Sequence, residues 1–270
     1  MKTARVPKPY LDSPIPLAIA HRGFCLQGWE NSLPAFRAAL ELGYQYLETD
    51  INTTADGVTV VFHDTSLDRI TDRAGRIAEL PYAVVREARI GGEQPIPTLR
   101  EFFEALPGAR FNIDVKDAGS AATLAALIEE FGLHERVCVA SFSGRRRKDV
   151  LSRLSRPVAS SPGQTLLVAY ALLGPWLPIP LLRAMMSGVD VLQIPRRAMG
   201  VDLVTRRSVG RAHRAGLKMH VWTINEPADM DQLLDLGVDG IMTDRADLLA
   251  AVMRRRGYWP AGPGAPAATA

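Results

Sequence analysis

Short β-rich runs alternate with longer stretches of helical period along almost the whole chain. Eight of these runs have the length and the apolar content of strands: Leu17–Ala20, Tyr46–Ile51, Arg110–Val115, Arg136–Ala140, Val158–Ser160, Val189–Ile194, Lys218–Trp222 and Gly240–Met242. Strands that alternate with helices are typical of a parallel sheet covered by helices. Eight of them favour closure, so the sequence predicts an α/β fold, a (β/α)8 TIM barrel.

One β-rich run departs from this parallel rhythm. Val58–Phe62 follows the second strand across a short link that contains Asp56-Gly57. Asp-Gly between two such runs indicates a hairpin. The returning strand is therefore predicted to be antiparallel and to bring His63 roughly opposite Asp50.

The pattern predicts one domain over residues 1–256, with a small insertion at about 53–97 after the second strand. The insertion shows helical period only around Tyr82–Ala88 and is expected to lie over the barrel mouth. Ser120 is expected to cap a helix over Ala121–Phe131. Residues 257–270 are rich in Pro, Gly and Ala, and we expect a disordered tail there.

Composition removes several classes of function. The net charge of +3, from 32 basic and 29 acidic residues, is too small to predict a nucleic-acid partner. The basic run at residues 145–148 lacks interleaved aromatic residues and is expected to be a solvated surface. Two cysteines give no disulfide framework, which favours a cytoplasmic location.

Membrane association is weakly suggested by one segment. The N-terminus lacks the long apolar core of a signal peptide. The apolar run Leu166–Leu182 contains three prolines and is too short to span a bilayer. It could form a lid or an edge that touches a membrane, but we expect burial against the barrel and no membrane contact.

Polar residues gather at the predicted strand ends, where the active sites of such barrels lie. The first strands end in His21-Arg22, Glu48 with Asp50, His63-Asp64 on the hairpin, and Asp114 with Lys116. Later strand ends carry Ser141-Phe142, Gln193, Trp222 with Asn225, and Thr243-Asp244. These residues are expected to meet at one mouth.

Three carboxylates in this set predict a metal site. Glu48 and Asp50 are two apart on a strand and therefore face the same side, and Asp114 is on a neighbouring strand. Buried carboxylates repel each other unless a cation or protons intervene. Oxygen ligands without a suitable cysteine indicate a divalent cation, Mg²⁺ or Ca²⁺. The alternative is that these acids only form salt bridges with Arg22 and Lys116.

His21 and His63 are the candidate catalytic acid and base, because histidine changes charge near neutral pH. Taken singly, each could equally be a capping or core-edge residue. His134 and His213 are expected at the surface, and His220 at the edge of the core. Arg22 and Lys116 could neutralise a bound phosphate, and together they predict an anionic substrate.

The motifs in this order resemble the glycerophosphodiester phosphodiesterase family. They are His21-Arg22-Gly23, Glu30-Asn31-Ser32, Glu48-x-Asp50, Asp56-Gly57, His63-Asp64, Leu67-x-Arg69-x-Thr71, residues 96–99, Asp114-x-Lys116, Ser141-Phe142, residues 222–225 and residues 239–244. The resemblance covers roughly residues 17 to 250 and implies hydrolysis of small glycerophosphodiesters to glycerol 3-phosphate and an alcohol. It also implies attack by a neighbouring glycerol hydroxyl and a cyclic phosphate that water opens.

By this analogy one of His21 and His63 takes the attacking proton and the other protonates the leaving oxygen. Trp222 could cover the apolar side of the glycerol or belong to the core. Asp114 departs from the family, where glutamate is common, and this affects the identity of the metal. Glu30 could be a further pocket acid or could act near the start of the first helix, and its role is taken as secondary.

Two other functions remain open. A phospholipase D-like hydrolysis of lysophospholipids would use the same centre and an apolar groove, for which Leu166–Leu182 is the candidate. A non-catalytic phosphoester-binding barrel would keep the fold without turnover. The presence of both histidines, all three carboxylates and both cationic side chains argues against the second.

Overall fold

The computed structural model describes residues 8–259. Its strands are β1 (Leu17–His21), β2 (Tyr46–Thr53), β3 (Thr59–Val61), β4 (Arg89–Ile90), β5 (Gln94–Pro95), β6 (Arg110–Val115), β7 (Val137–Ala140), β8 (Ala159–Ser160), β9 (Val191–Pro195), β10 (Arg197–Ala198), β11 (Val201–Asp202), β12 (Lys218–Trp222) and β13 (Gly240–Thr243). Its α-helices are α1 (Leu33–Glu41), α2 (Tyr82–Val85), α3 (Leu99–Ala105), α4 (Ser120–Glu130), α5 (Gly144–Ser152), α6 (Gln164–Leu173), α7 (Ile179–Met185), α8 (Arg206–Arg214), α9 (Pro227–Leu236) and α10 (Ala246–Arg255). Short 3-10 turns cover Pro9–Leu11, Ile77–Glu79 and Leu133–Glu135.

Eight parallel strands form a nearly closed barrel, which confirms the predicted fold. Their order around the barrel is β8-β7-β6-β2-β1-β13-β12-β9. β8 and β9 meet through a backbone hydrogen bond, in which Asp190 N–H donates to Ser160 O at 2.9 Å. The carboxyl ends of the eight strands therefore share one rim.

The strand bounds follow the prediction closely, and β6 and β12 agree at both ends. β9 begins two residues later than predicted. The reason is local, because Val189 N–H donates to Met186 O at 3.1 Å and so closes the turn after α7. Buried apolar side chains between the sheet and the helices form the main core.

The predicted hairpin is confirmed, with the register shifted by one residue. β3 returns antiparallel to β2 with Ile51 opposite Val61, and Phe62 N–H donates to Asp50 O at 3.0 Å. Gly57 has φ of 86°, a left-handed conformation that favours glycine. The insertion that follows has its own apolar core of Val60, Phe62, Leu67, Ile77, Val85, Ala88, Ile90 and Ile96.

The predicted N-cap of α4 is wrong, because the side chain of Ser120 does not cap this helix. Ser120 is the first helical residue, and its side chain caps nothing. Instead Asp117 Oδ1 accepts from Ser120 N–H at 2.9 Å, while Asp117 Oδ2 accepts from Thr53 N–H at 2.7 Å. The capping carboxylate thus also ties α4 to the end of β2.

Two side chains predicted at the surface are buried. Arg147, within the basic run, donates through Nη1 to Ser160 Oγ at 2.9 Å and to Gly188 O at 2.7 Å. His134 is buried between Glu129 and Arg156. Both predictions failed because a long polar side chain can be buried when specific partners satisfy its polar atoms.

The run Leu166–Leu182 forms α6 and the start of α7, and its expected burial is largely wrong. Tyr170, Gly174 and Leu182 are buried, whereas Val168, Leu172, Leu173, Trp176 and Leu181 are exposed. Among residues 8–259, no helix is long and apolar enough to cross a membrane. An apolar surface is therefore left facing solvent beside the barrel.

The end of the described chain packs on the barrel. The ring of Trp259 lies 4.9 Å from that of Tyr44, edge to face. Of the disordered tail predicted at 257–270, residues 257–259 are described, and Tyr258 and Trp259 pack against the core; residues 260–270, like residues 1–7, lie outside the described residues. Cys25 and Cys138 are free thiols.

Candidate active site

A cavity of about 190 Å³ opens at the carboxyl ends of the strands. It is lined by all eight side chains singled out in the sequence, namely His21, Arg22, Glu48, Asp50, His63, Asp114, Lys116 and Trp222. The cavity therefore brings together the residues that were predicted at the strand ends. Their chemistry depends on how each side chain is held.

A left-handed turn directs the chain away from β1. Arg22 has φ of 57° and Gly23 has φ of 88°. A Cβ on Gly23 would lie 2.7 Å from the carbonyl carbon of Ala35, so α1 leaves no room for a side chain there. Arg22 N–H donates to Glu48 O at 3.0 Å, which fixes the turn against β2.

His21 is held by a carboxylate from the last strand. Its Nδ1 lies 2.6 Å from Asp244 Oδ1, and its Nε2 lies 3.7 Å from Glu48 Oε2. Asn225 Nδ2 donates to Asp244 Oδ2 at 3.0 Å and so orients that carboxylate. Burial opposes protonation, but Glu48 and Asp244 outweigh it and raise the pKa of His21.

His63 is held by its neighbour in sequence. Its Nδ1 lies 2.6 Å from Asp64 Oδ1, and Arg69 Nε donates to Asp64 Oδ2. Asn52 Nδ2 donates to the carbonyl oxygens of Phe62, His63 and Asp64 at 2.9, 3.3 and 3.1 Å. The amide thereby fixes the loop that carries the histidine.

Glu30 connects the two histidine loops. Glu30 Oε1 accepts from Arg22 Nη1 at 2.9 Å and from Arg69 Nη2 at 2.6 Å. Arg22 follows His21, and Arg69 contacts the partner of His63. The acid given a secondary role by sequence is therefore the link between the two sides of the cavity.

Glu48 and Asp50 share one buried face, and the pKa values of the two carboxyls are shifted in opposite directions. Burial and the nearby Asp50 raise the pKa of Glu48 to about 8. Burial also opposes the charge on Asp50, but Lys116 and Arg22 lower its pKa below the usual value. Lys116 Nζ lies 2.8 Å from Asp50 Oδ1, and Arg22 Nε lies 3.2 Å from Asp50 Oδ2 without hydrogen-bond alignment.

Asp114 faces Asp50 across β2 and β6, and Lys116 lies between them. Lys116 Nζ lies 2.7 Å from Asp114 Oδ2, whereas the buried Asp114 Oδ1 has no hydrogen-bond partner. Burial raises the pKa of Asp114 despite the lysine. The salt bridges with Arg22 and Lys116 are thus present, and they leave Asp114 Oδ1 unsatisfied.

Within residues 8–259, no group of three His, Cys, Asp or Glu side chains is already arranged around one point as a metal site. The donor set nevertheless fits a hard cation. Asp114 Oδ1 is a buried acceptor without a hydrogen-bond partner, and Glu48 is a second buried carboxyl, whose pKa burial and the nearby Asp50 raise. A divalent ion would supply a partner for both carboxyls.

Trp222 closes the cavity opposite these acids. Its ring lies 6.3 Å from that of Phe142, edge to face, and Lys116 Nζ lies 5.6 Å from the Phe142 ring. Below them, Gln193 Nε2 donates to Asn112 Oδ1 at 2.6 Å. The cavity therefore has one charged wall and one aromatic wall.

Comparison with known proteins assigns the chain to a family. The model of the glycerophosphoryl diester phosphodiesterase family matches residues 21–248. The chain belongs to this family. As such it is a phosphoric diester hydrolase, and the resemblance seen in the sequence is confirmed.

Two relatives and one structure illustrate the match. The chain is 42% identical over 244 residues to a probable glycerophosphodiester phosphodiesterase 2 of Mycobacterium tuberculosis, covering 90% of this chain and 92% of that protein. It is 30% identical to a glycerophosphodiester phosphodiesterase of Caldanaerobacter subterraneus, covering 89% and 99%. A phosphodiesterase of Oleispira antarctica, solved with the product sn-glycerol 3-phosphate, has the same fold at a TM-score of 0.72 and 24% identity, covering 89% and 97%.

Several side chains of this phosphodiesterase site were given no role from sequence. Asp64, Arg69, Asn225 and Asp244 were quoted within motifs or at strand ends, and this position was the available signal. Asn31 is fully buried with φ of 61°; it donates to Asp50 Oδ2 at 3.3 Å and accepts from Thr49 Oγ1 at 2.7 Å. These residues hold the side chains that line the cavity.

Proposed function

We propose that the chain hydrolyses glycerophosphodiesters to glycerol 3-phosphate and an alcohol, with His21 and His63 as its acid/base pair. One observation carries the proposal. Both rings line the same cavity, and each has its Nδ1 within 2.6 Å of a carboxylate. A carboxylate at Nδ1 fixes the orientation and tautomer of an imidazole, so that Nε2 is the atom that exchanges a proton with substrate.

Arg22 and Lys116 supply the positive charge that a phosphodiester needs. Both line the cavity, and both are paired with Asp50 in this structure. Their nitrogens are therefore already placed beside the carboxylates, where non-bridging oxygens can accept from them. Trp222 and Phe142 form the opposite wall and fit the carbon face of the glycerol.

The reaction then follows from these positions. One histidine takes the proton of the neighbouring glycerol hydroxyl as its oxygen bonds to phosphorus, and the other protonates the leaving alcohol oxygen. In the second step the roles reverse: water attacks the cyclic phosphate, gives up a proton to one ring, and the glycerol oxygen regains a proton from the other. Each histidine ends the cycle in its starting state.

Glu48, Asp50 and Asp114 would hold the divalent cation, Mg²⁺ or Ca²⁺. When bound, it would neutralise charge on the phosphoryl oxygens. Glu48 and Asp50 come from β2 and Asp114 from β6, so the ligands lie on neighbouring rigid strands. The shorter side chain of Asp114 sets the reach of the third ligand.

Choline release from glycerophosphocholine tests the catalytic assignment. His21→Ala and His63→Ala are each expected to lower kcat by about 10²–10⁴-fold, the usual contribution of a general acid or base. His213→Ala is the matched control, because His213 contacts Asp239 away from the cavity. Unchanged turnover in either cavity variant would overturn the assignment, and turnover absent from the wild type would favour the non-catalytic barrel.

Calorimetric titration of Mg²⁺ and Ca²⁺ into chelator-treated protein tests the cation site without relying on activity. Asp114→Asn is expected to weaken binding about 10-fold or more, because it removes one charged ligand. Asp149→Asn is the control, since Asp149 pairs only with Arg153 on the surface of α5. Equal affinity in wild type and Asp114→Asn would exclude Asp114 from the site.

A further inference from the structure

Exposed apolar side chains are concentrated on one side of the barrel. Among residues 8–259, nine large apolar side chains are exposed, and seven of them lie between residues 168 and 201. They belong to α6, α7, the link between these helices and the β10–β11 hairpin. Single exposed apolar residues are ordinary on a protein surface, whereas a contiguous patch marks an interaction surface.

Four of these side chains line one open cavity of about 580 Å³, namely Val168, Leu172, Met199 and Val201. Trp176 lies beside the cavity, because the preceding residue, Pro175, also lines it. We call the four lining side chains and Trp176 the apolar rim. The rim is therefore one continuous feature, although its residues come from two separate segments of the chain.

The tip of the β10–β11 hairpin presents an apolar side chain to solvent at a strained position. Ala198 pairs with Val201, so Met199 and Gly200 form a two-residue turn, with φ of 50° and 79°. Glycine, asparagine or aspartate is preferred at positive φ, and methionine is not. Met199 is also 102% exposed. A large apolar side chain held in this way indicates a contact outside the chain.

Arginines surround the apolar rim and keep their positive charge. The Cζ of Arg207 lies 5.7 Å from the centre of the Trp176 ring. Arg183, Arg207 and Arg211 each donate to backbone carbonyl oxygens of this region. A carbonyl oxygen has no net charge, so these hydrogen bonds position the guanidinium groups without neutralising them.

The sequence concentrates positive charge in the same part of the chain. Residues 162–217 contain seven arginines against two aspartates, a net charge of +5, whereas the whole chain carries +3. The rest of the chain therefore carries a net charge of −2. The partner of the apolar rim is expected to combine apolar contact with negative charge.

A second copy of the chain does not meet this requirement. In a two-fold symmetric dimer the same surface faces itself, so the positive segments would lie opposite each other and repel. A bilayer that contains anionic lipids offers negative head groups above hydrocarbon. Tryptophan is enriched at that interface, where arginine can reach the head groups.

We propose that the apolar rim docks the barrel on the surface of a bilayer that contains anionic lipids, with Trp176 and Met199 entering the interface. The proposal goes beyond the proposed function and does not depend on it. It replaces the expectation that Leu166–Leu182 makes no membrane contact. Phe142 and Trp222 line both the cavity of the rim and the active-site cavity, so in the docked barrel the active site lies beside the head groups.

Co-sedimentation of the full chain with vesicles tests the docking. One set of vesicles contains diacyl phosphatidylcholine alone, and the other contains about one third diacyl phosphatidylglycerol. An arginine near an anionic surface contributes a factor of about five, so the three arginines predict binding to the anionic vesicles at least about 10-fold stronger. Raising the salt concentration from about 0.1 M to about 1 M should remove most of this difference, because it shortens the screening length from about 10 Å to about 3 Å.

Substitutions in the apolar rim test the apolar contact. Trp176→Ser and Met199→Asn are each expected to weaken vesicle binding about 10-fold through the loss of buried apolar surface. Asparagine is tolerated at positive φ, so Met199→Asn keeps the turn. Leu26→Ser is the matched control, since Leu26 is 67% exposed and follows β1, across the barrel from β8.

A second pair of variants tests the charge. Arg207→Gln is expected to weaken binding to the anionic vesicles about fivefold and to leave binding to phosphatidylcholine vesicles within about twofold. Arg37→Gln removes the same charge from an exposed position on α1 and should change neither. Thermal melting followed by circular dichroism verifies that each variant is folded.

Four results would overturn the docking proposal. These are no binding to either set of vesicles, equal binding to both, losses in the control variants as large as those in the rim variants, and self-association without lipid that Met199→Asn abolishes. The last result would assign the rim to an interface between copies of the chain. None of these measurements uses turnover, so a failure of the docking proposal leaves the proposed function intact, and the reverse also holds.

Discussion

The two histidines face one cavity but obtain the same support by different routes. Asp244 reaches His21 because β1 pairs with β13: Ala20 lies opposite Thr243, which sets the next residues side by side. The partner of His63 is the next residue, Asp64, in a loop that the β2–β3 hairpin and Asn52 position. The support of His21 therefore depends on barrel closure, and that of His63 depends on a local turn.

Both histidines have a carboxylate at Nδ1, which comes from a distant strand in one case and from the next residue in the other. Long-range strand pairing and a local hairpin can be perturbed by different substitutions, so the supports of His21 and His63 can be weakened independently. Glu30 reconnects them through Arg22 and Arg69. The supports of the two histidines can be tested one at a time by substitution.

The largest effect is expected from removing the carboxylate charge on each side. Asp244→Asn and Asp64→Asn should each lower kcat about 100-fold, because an amide cannot hold the imidazole in the same tautomer and charge state. Steady-state choline release measures both. Asp247→Asn, whose carboxylate pairs with Arg245, should stay within about twofold of wild type. A loss confined to one of the two cavity variants would show that the histidines are not equivalent in support.

A third histidine shows what burial does without such a carboxylate. His220 is fully buried, its Nδ1 has no hydrogen-bond partner, and burial lowers its pKa to about 4 despite Asp239. Folding favours the neutral form of His220. The free energy that this contributes to the folded state is complete above about pH 6.5 and is lost as pH falls towards 4.

Urea unfolding at several pH values measures this contribution. Between pH 7 and pH 4.5 the wild type should lose about 2–3 kcal/mol more unfolding free energy than His220→Phe, which has no proton to bind. An equal pH dependence of the unfolding free energy in the two proteins would contradict the lowered pKa of His220. At His21, by contrast, Glu48 and Asp244 outweigh burial and raise the pKa.

The smallest effect is expected from backbone strain at two glycines, only one of which lies in the turn that leads to His63. Gly57→Ala and Gly132→Ala both place alanine at positive φ, 86° and 62°, with no atom within 4 Å of the new Cβ. Each should lower the unfolding free energy by about 1–2 kcal/mol through backbone strain alone. Only Gly57→Ala should also lower kcat, by a few-fold, because its turn positions His63. Equal activity in the two variants would mean that the insertion core fixes His63 without the turn.

The sequence predicted what depends on short-range pattern. Alternation of strands and helices gave the barrel, and Asp56-Gly57 gave the antiparallel return of His63. Strand-end position then selected every residue of the cavity lining that was proposed for chemistry, because parallel strands end at a common rim.

What the sequence left out depends on contacts between distant elements. Asp244 and Asn225 were visible at strand ends, but their roles require the pairing of β1 with β13. Arg147 and His134 looked like surface residues because their partners come from other elements. The segment Leu166–Leu182 was apolar enough to predict burial, and only the assembled barrel shows that its outer face packs on no other element among residues 8–259.

The seam between β8 and β9 separates what this chain can vary from what it must keep. β8 has two residues, and one backbone bond to Asp190 joins it to the start of β9. Ser160 also donates through N–H to Asp190 Oδ2 and through Oγ to Gly188 O, and Arg147 donates to Ser160 Oγ and Gly188 O. The chain between these strands carries α6, which forms one wall of an apolar cavity of about 580 Å³ beside the active-site cavity. The proposed acids and histidines lie on β1, β2, β6 and the hairpin, whereas this connection reaches the active-site cavity through Gln164 and Leu167. Changes in its sequence would therefore act on the shape of the cavity from one side, in a part of the chain that is separate from the residues proposed for bond chemistry.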